Sequence, residues 1–165
     1  MAFDAFLRID GIPGESQDSN HKDWIEILSY HHGVSQPVSS TVSSSGGAAT
    51  ERVNFGAFVI AKLVDKATPK LFEACCTGTH IKEVIIEVCR SGGDKQKYLE
   101  IQMEQVLISG YNTSAKEDGK SDFPIENIAF VPGRFNITYN QQNRESGILS
   151  GSVAAGWDLI ANKKC

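Results

Sequence analysis

Hydrophobic residues recur at every second position over most of this chain, and nothing else constrains its fold as much. Phe3, Ala5, Leu7 and Ile9 share one side of a first segment, with Asp4, Arg8 and Asp10 opposite. Phe6 interrupts the alternation, as expected where both faces of a strand are partly covered. Residues 23–34 form a second extended stretch, with Trp24, Leu28 and Tyr30 on one face and Ile25, Ile27, Ser29 and His31 on the other. A third is predicted at about 52–63, rich in Val, Phe and Ile, and another over 81–90. Over 97–108, Leu99, Ile101 and Met103 alternate with Glu100, Gln102 and Glu104 until the phase slips near Gln105-Val106, the mark of a bulge or strong bend. Two further pieces flank Pro132-Gly133, the second with Phe135, Ile137 and Tyr139 alternating with Arg134, Asn136 and Thr138. Val153, Ala155, Trp157 and Leu159 share a face of a last strand over 152–160.

One segment has a different period. Thr68 suits an N-cap, Pro69 the first helical turn, and Gly78 a C-terminal stop. Between them Leu71, Phe72, Ala74 and Cys75 form an apolar stripe, which predicts a helix of about ten residues that buttresses a sheet. Seven or eight strands and one short helix imply a mainly β fold, an antiparallel two-sheet sandwich or barrel. At 165 residues the chain is expected to be a single domain, 1–165, with room for a hydrophobic core.

Residues 37–50, small and polar, cannot bury enough apolar surface to order themselves. A loop of this length inside a domain is functional or a linker, and with only two strands before it a docking loop is the better reading.

The bulk chemistry excludes several functions. A net charge of −4 with a basic end of only Lys163 and Lys164 argues against a nucleic-acid partner. No apolar run approaches the roughly 18 residues of a membrane span, so no membrane insertion is expected. The first ten residues alternate without a basic leader, so they read as a strand and not as a signal peptide. Four cysteines, Cys75, Cys76, Cys89 and Cys165, are poorly spaced for bridges and are expected to be free thiols; Cys165, at the end of the chain, is the one placed for an oxidative crosslink. His31 and His32 point to opposite sides of a strand and do not share a metal ion. Cys75, Cys76 and His80 lack the cysteine-pair spacing of a zinc site. Ser91-Gly92-Gly93-Asp94 is a hairpin turn signal; neither it nor Gly46-Gly47 has the lysine and helix of a phosphate loop. No cofactor, metal or catalytic residue is indicated, and nothing supports an enzyme. Binding or assembly is the function class left.

Short motifs along the chain resemble one family. They are Gly14-Glu15-Ser16 with Asp18 and His21; Gly33-Val34-Ser35-Gln36 and the Gly/Ser-rich loop after it; Asp65-Lys66 with Thr68-Pro69-Lys70-Leu71; Ser91 to Asp94 before Tyr98-Leu99; Tyr139-Asn140-Gln141-Gln142; and Gly156-Trp157-Asp158-Leu159. Their order and spacing resemble the haemolysin-coregulated protein (Hcp) family, the tube protein of type VI secretion. The resemblance implies a two-sheet β-barrel with one flanking helix, similar to phage tail-tube proteins. It implies homohexameric rings that stack into a hollow tube inside a contractile sheath, with a spike at the tip and effectors as cargo. It also implies assembly in the bacterial cytoplasm and release outside the cell or into a target cell.

On this basis Val38, Ser39, Ser40, Thr41, Val42, Ser43, Ser44, Ser45, Gly46, Gly47, Ala48 and Ala49 correspond to the family's extended loop, which contacts the next ring. Ser29 and His31 are expected at the lumen, where effectors bind. The competing expectation is a monomeric secreted β-domain that uses its loop to bind a host or target-cell partner.

Overall fold

The computed structural model describes residues 3–38, 51–92, 95–117, 119, 123–143 and 145–165. The elements run β1 (Phe3–Ile9), β2 (Ile25–Ile27), β3 (Ser29–His31), β4 (Val34–Ser35), β5 (Asn54–Phe55), β6 (Phe58–Leu63), α1 (Thr68–Thr77), β7 (Ile81–Arg90), β8 (Lys97–Ser114), β9 (Ile125–Val131), β10 (Arg134–Gln142), β11 (Leu149–Asp158) and β12 (Lys163–Lys164). Every strand pairing is antiparallel.

Two sheets share β8. Sheet A has the order β12-β11-β10-β8-β7-β1-β2, and sheet B runs β3-β6-β9-β8. β8 serves both because its phase slips where the sequence says it should. Gln105 sits at φ 53°, Met103 is the last inward residue before it and Val106 the first after it. The Gly133 N–H donates to the carbonyls of both Glu104 and Gln105, at 2.9 and 3.0 Å, and holds the bend from the β9–β10 turn. Up to the bend β8 pairs with β10 and β7, the last β7 pair being Ile81 with Val106 just past it; from Leu107 onward β8 pairs with β9.

The core lies between the sheets. Leu7, Ile25, Ile86 and Met103 from sheet A meet Phe58, Ile60, Ile128 and Phe130 from sheet B, all fully buried. The expected two-sheet β architecture is present, but its ladder does not close. β2 and β3 meet end to end at Leu28, whose N–H donates to the Ala61 carbonyl at 2.7 Å, rather than side by side.

That junction corrects the reading of residues 23–34 as one strand with fixed faces. Ile25 and Ile27 are buried, Leu28 is exposed, and beyond it Tyr30 is the half-buried residue between exposed Ser29 and His31. The inward parity switches because the chain leaves one sheet for the other at Leu28. The predicted third strand is likewise two, β5 and β6.

The helix has the predicted length but starts differently. Its N-cap is Ala67, with no side-chain cap. The Asp65 carboxylate accepts the Ala67 N–H at 2.9 Å, and the Thr68 hydroxyl accepts the Asp65 N–H at 3.1 Å. Thr68 therefore stands inside the helix. Gly78 ends it at φ 64°, a left-handed conformation that glycine adopts without strain. Leu71 and Ala74 face the core, whereas Phe72 is turned outward and meets Tyr111 edge-on at 5.7 Å.

Candidate assembly surfaces

Ser29 and His31 sit on the outward face of sheet B, and the pairing register shows what surrounds them. Cross-strand partners share a face. Ser29 is in register with Ala61, Ala61 with Asn127, and Asn127 with Asn112. His31 is in register with Val59, Val59 with Ala129, and Ala129 with Gly110. The face is made of small or uncharged side chains, and His31 is its one ionisable group in these two rows. The structure thus brings both predicted lumen residues onto one exposed surface.

The outward face of sheet A is the opposite in character. Arg8 pairs with Glu83 at 2.7 Å, Lys97 with Glu87 at 3.1 Å, and Arg134 with Asp158 at 3.0 Å. Asp158 is held below the usual carboxylate range, chiefly by the Ala161 N–H and also by Arg134.

The stem of the long loop is ordered. β4 and β5 form a two-stranded ribbon, and the Gly56 N–H donates to the Gly33 carbonyl at 3.0 Å. A Cβ on Gly56 would lie 2.8 Å from that same carbonyl oxygen, so glycine is required for the close approach. His32 ties the stem to the body. Its ring stacks on Phe135 at 4.8 Å and Phe58 at 5.5 Å, and tilts against Phe55 at 4.7 Å. Burial pushes its pKa down, and His31 beside it acts in the same direction. His31 is exposed while His32 is enclosed by aromatic rings, as the opposite-face argument expected. Of the predicted stacking loop only Val38, which is exposed, falls within the described residues; Ser39 to Ala49 lie outside them.

All four cysteines are free. Cys165 is exposed, with its Sγ 3.7 Å from Asn136 Oδ1. Cys89 is fully buried and pushed up to about 11, first by burial and then by Glu87. Among the described residues, no group of three or more His, Cys, Asp and Glu side chains is arranged to hold a metal ion. No described helix is long and apolar enough to cross a membrane.

Two clusters escaped the sequence reading. His21 is buried, with Nδ1 2.7 Å from Asp18 and Nε2 2.7 Å from Glu87. Lys95 reaches the other carboxylate oxygen of Asp18 at 2.9 Å. His21 and Lys95 together hold the Asp18 carboxyl down to about 2. The second cluster is between the sheets: Lys62 Nζ lies 2.5 Å from Glu126 Oε1 and 2.9 Å from Asp65, and the Thr68 hydroxyl donates to Glu126 at 2.8 Å. Its signal was available. Lys62 has the parity of Phe58 and Ile60, and Glu126 that of Ile128 and Phe130, so both charges point inward.

Comparison with known proteins agrees with this architecture. The family model described as the Hcp effector of the type VI secretion system matches residues 6–139. Protein hcp1 of Pseudomonas aeruginosa is 32% identical over 163 residues, covering 98% of either chain. A solved structure of a type six secretion system protein superposes with a TM-score of 0.92 at 31% identity, over 99% of this chain and 100% of the other. Hcp1 from Salmonella typhimurium superposes at 0.81 with 30% identity over the whole of both chains. A mainly antiparallel two-sheet fold, matched along nearly its full length, makes this chain a member of the Hcp family, the tube subunits of type VI secretion.

Proposed function

We propose that this chain, as one domain, closes into hexameric rings, and that the rings stack into the inner tube. The observation that carries the reading is the outward face of sheet B. A channel that passes folded cargo needs a wall without large apolar patches and without fixed charges to trap it. The rows from Ser29 to Asn112 and from His31 to Gly110 have that chemistry, and sheet A's ion-paired face does not. Ser29 and His31 then contact effectors in the lumen.

Val38 to Ala49 then contact the next ring, their small residues suiting close backbone approach. A sheath outside, a spike at the tip and effectors inside are the remaining partners. Assembly takes place in the bacterial cytoplasm and the tube is then ejected. The subunit acts through its geometry and not as an enzyme.

Size-exclusion chromatography with light scattering tests the ring: a mass near six times 18.0 kDa is expected. A mass of one copy favours the monomeric secreted domain instead. Deleting Ser43–Gly47 should leave rings intact and abolish stacking, and His31→Asp should change the cargo profile.

A further inference from the structure

We propose that His32 is a pH-sensitive latch: neutral, it seats the β4–β5 ribbon on the body of the domain; protonated, it leaves its aromatic cage and releases the ribbon. The proposal does not depend on the ring reading above.

The β4–β5 ribbon belongs to neither sheet, and its Val34, Ser35 and Asn54 are exposed. His32 is what reaches inward from it. The cage is made of three rings from three strands, Phe55 of β5, Phe58 of β6 and Phe135 of β10, all with centroids within 5.5 Å of the imidazole. β6 is in sheet B and β10 in sheet A, so one side chain fastens the ribbon to both sheets at once.

The cage suits imidazole and not imidazolium. Nε2 of His32 is buried and has no hydrogen-bond partner among the described residues. A proton there creates an N–H with nothing to receive it, in apolar surroundings. Trp157, in register with Phe135, has a buried Nε1 that is also unpartnered, but an indole N–H only donates and gives the proton no acceptor.

The charged groups around the cage offer no counter-ion. Phe55, Phe58 and Phe135 are uncharged. Further along β6, Lys62 is paired with Glu126, and on the other face of β10 Arg134 is paired with Asp158. Before β5, Glu51 is exposed and Arg52 donates to the Leu159 carbonyl. On its own strand Tyr30 stacks on Phe58, and exposed His31 adds a second potential cation. Ring faces do attract a cation. Burial opposes it, His31 opposes it further, and together they outweigh a hydrogen bond to the Gly56 backbone, so the His32 pKa lies below its ordinary 6.5. A histidine depressed in this way holds the seated form fully above its free value, and the hold weakens as pH falls below that value.

Hydrogen exchange read by mass spectrometry on the full chain, with circular dichroism to confirm folding, tests this at about pH 7.5 and about pH 5. On acidification, wild-type peptides covering 33–35 and 54–56 should lose about tenfold in protection relative to β7 peptides of the same molecule. His32→Phe keeps the ring stacking, cannot be protonated and should lose none. His31→Asn changes only the exposed neighbour and should still show the loss. Equal wild-type protection at the two pH values overturns the proposal, as does a His32→Phe that loses as much as wild type or a His31→Asn that loses none.

Discussion

The imidazole of His21 lies flat on the ring of Phe6, with centroids 4.1 Å apart and planes 3° from parallel. Phe6 points away from the core, toward the face of sheet A that carries the ion pairs, yet it is only 2% exposed. The loop that begins at Gly11 folds back to put His21 over it. With both ring nitrogens 2.7 Å from carboxylates, the imidazole joins the loop to β7 through Glu87. His21→Ala should therefore cost about 3 kcal/mol, because it uncovers Phe6 and leaves two carboxylates without their buried partner. Urea unfolding checks this as a lower midpoint with an unchanged slope.

Asp18 sets an acid limit on the same loop. Its carboxyl is lowered from 3.8 to about 2, first by His21 and then by Lys95. A group whose pKa is depressed on folding contributes stability above its unfolded value, and that contribution is lost as pH falls through the folded value. Asp18→Asn should be less stable than wild type at neutral pH, and the gap should close as pH drops from 3.8 toward about 2. Chemical denaturation across that window reads it directly.

The pair Lys62 and Glu126 should behave in a strongly non-additive way. Both side chains are 0% exposed. Removing one charge strands the other in the core at a cost of about 3–5 kcal/mol, whereas replacing both by apolar residues of similar size should be nearly neutral. Lys62→Met alone is expected to fall in that range, and Lys62→Met with Glu126→Leu to return close to wild type. A double-mutant cycle measures the coupling.

Thiol chemistry separates the cysteines. Cys76 and Cys165 are exposed, whereas Cys89 is buried with its thiol pushed up to about 11. The thiolate is the reactive form. At mildly alkaline pH an alkylating reagent should modify Cys76 and Cys165 in the folded protein and reach Cys89 only after denaturation, as read by mass spectrometry of peptides.

Local chemistry was legible in this chain where it set local structure. The slip at Gln105-Val106, the stop at Gly78 and the break at Pro132-Gly133 all fall where turn and phase arguments put them. What alternation does not report is which sheet a strand joins. Leu28 was therefore read as the middle of a strand instead of the crossing between sheets. Ser29 and His31 were legible as a polar strand end, but the uncharged field around them depends on pairings with residues as distant as Asn112 and Asn127. His21 over Phe6 was missed for the same reason, since the contact joins segments far apart in the chain; for Lys62 and Glu126 parity gave the inward direction of both charges but not that they meet.

β8 runs 18 residues and belongs to both sheets, bent at Gln105 where it passes from one to the other. In most sandwiches the layers are joined by side-chain packing and by loops, and packed side chains can slip. Here a load that drives one sheet across the other has to lengthen a continuous, laterally bonded backbone. Shear between the layers is thus carried by a covalent tie rod, whose bend at Gln105 is braced by Gly133.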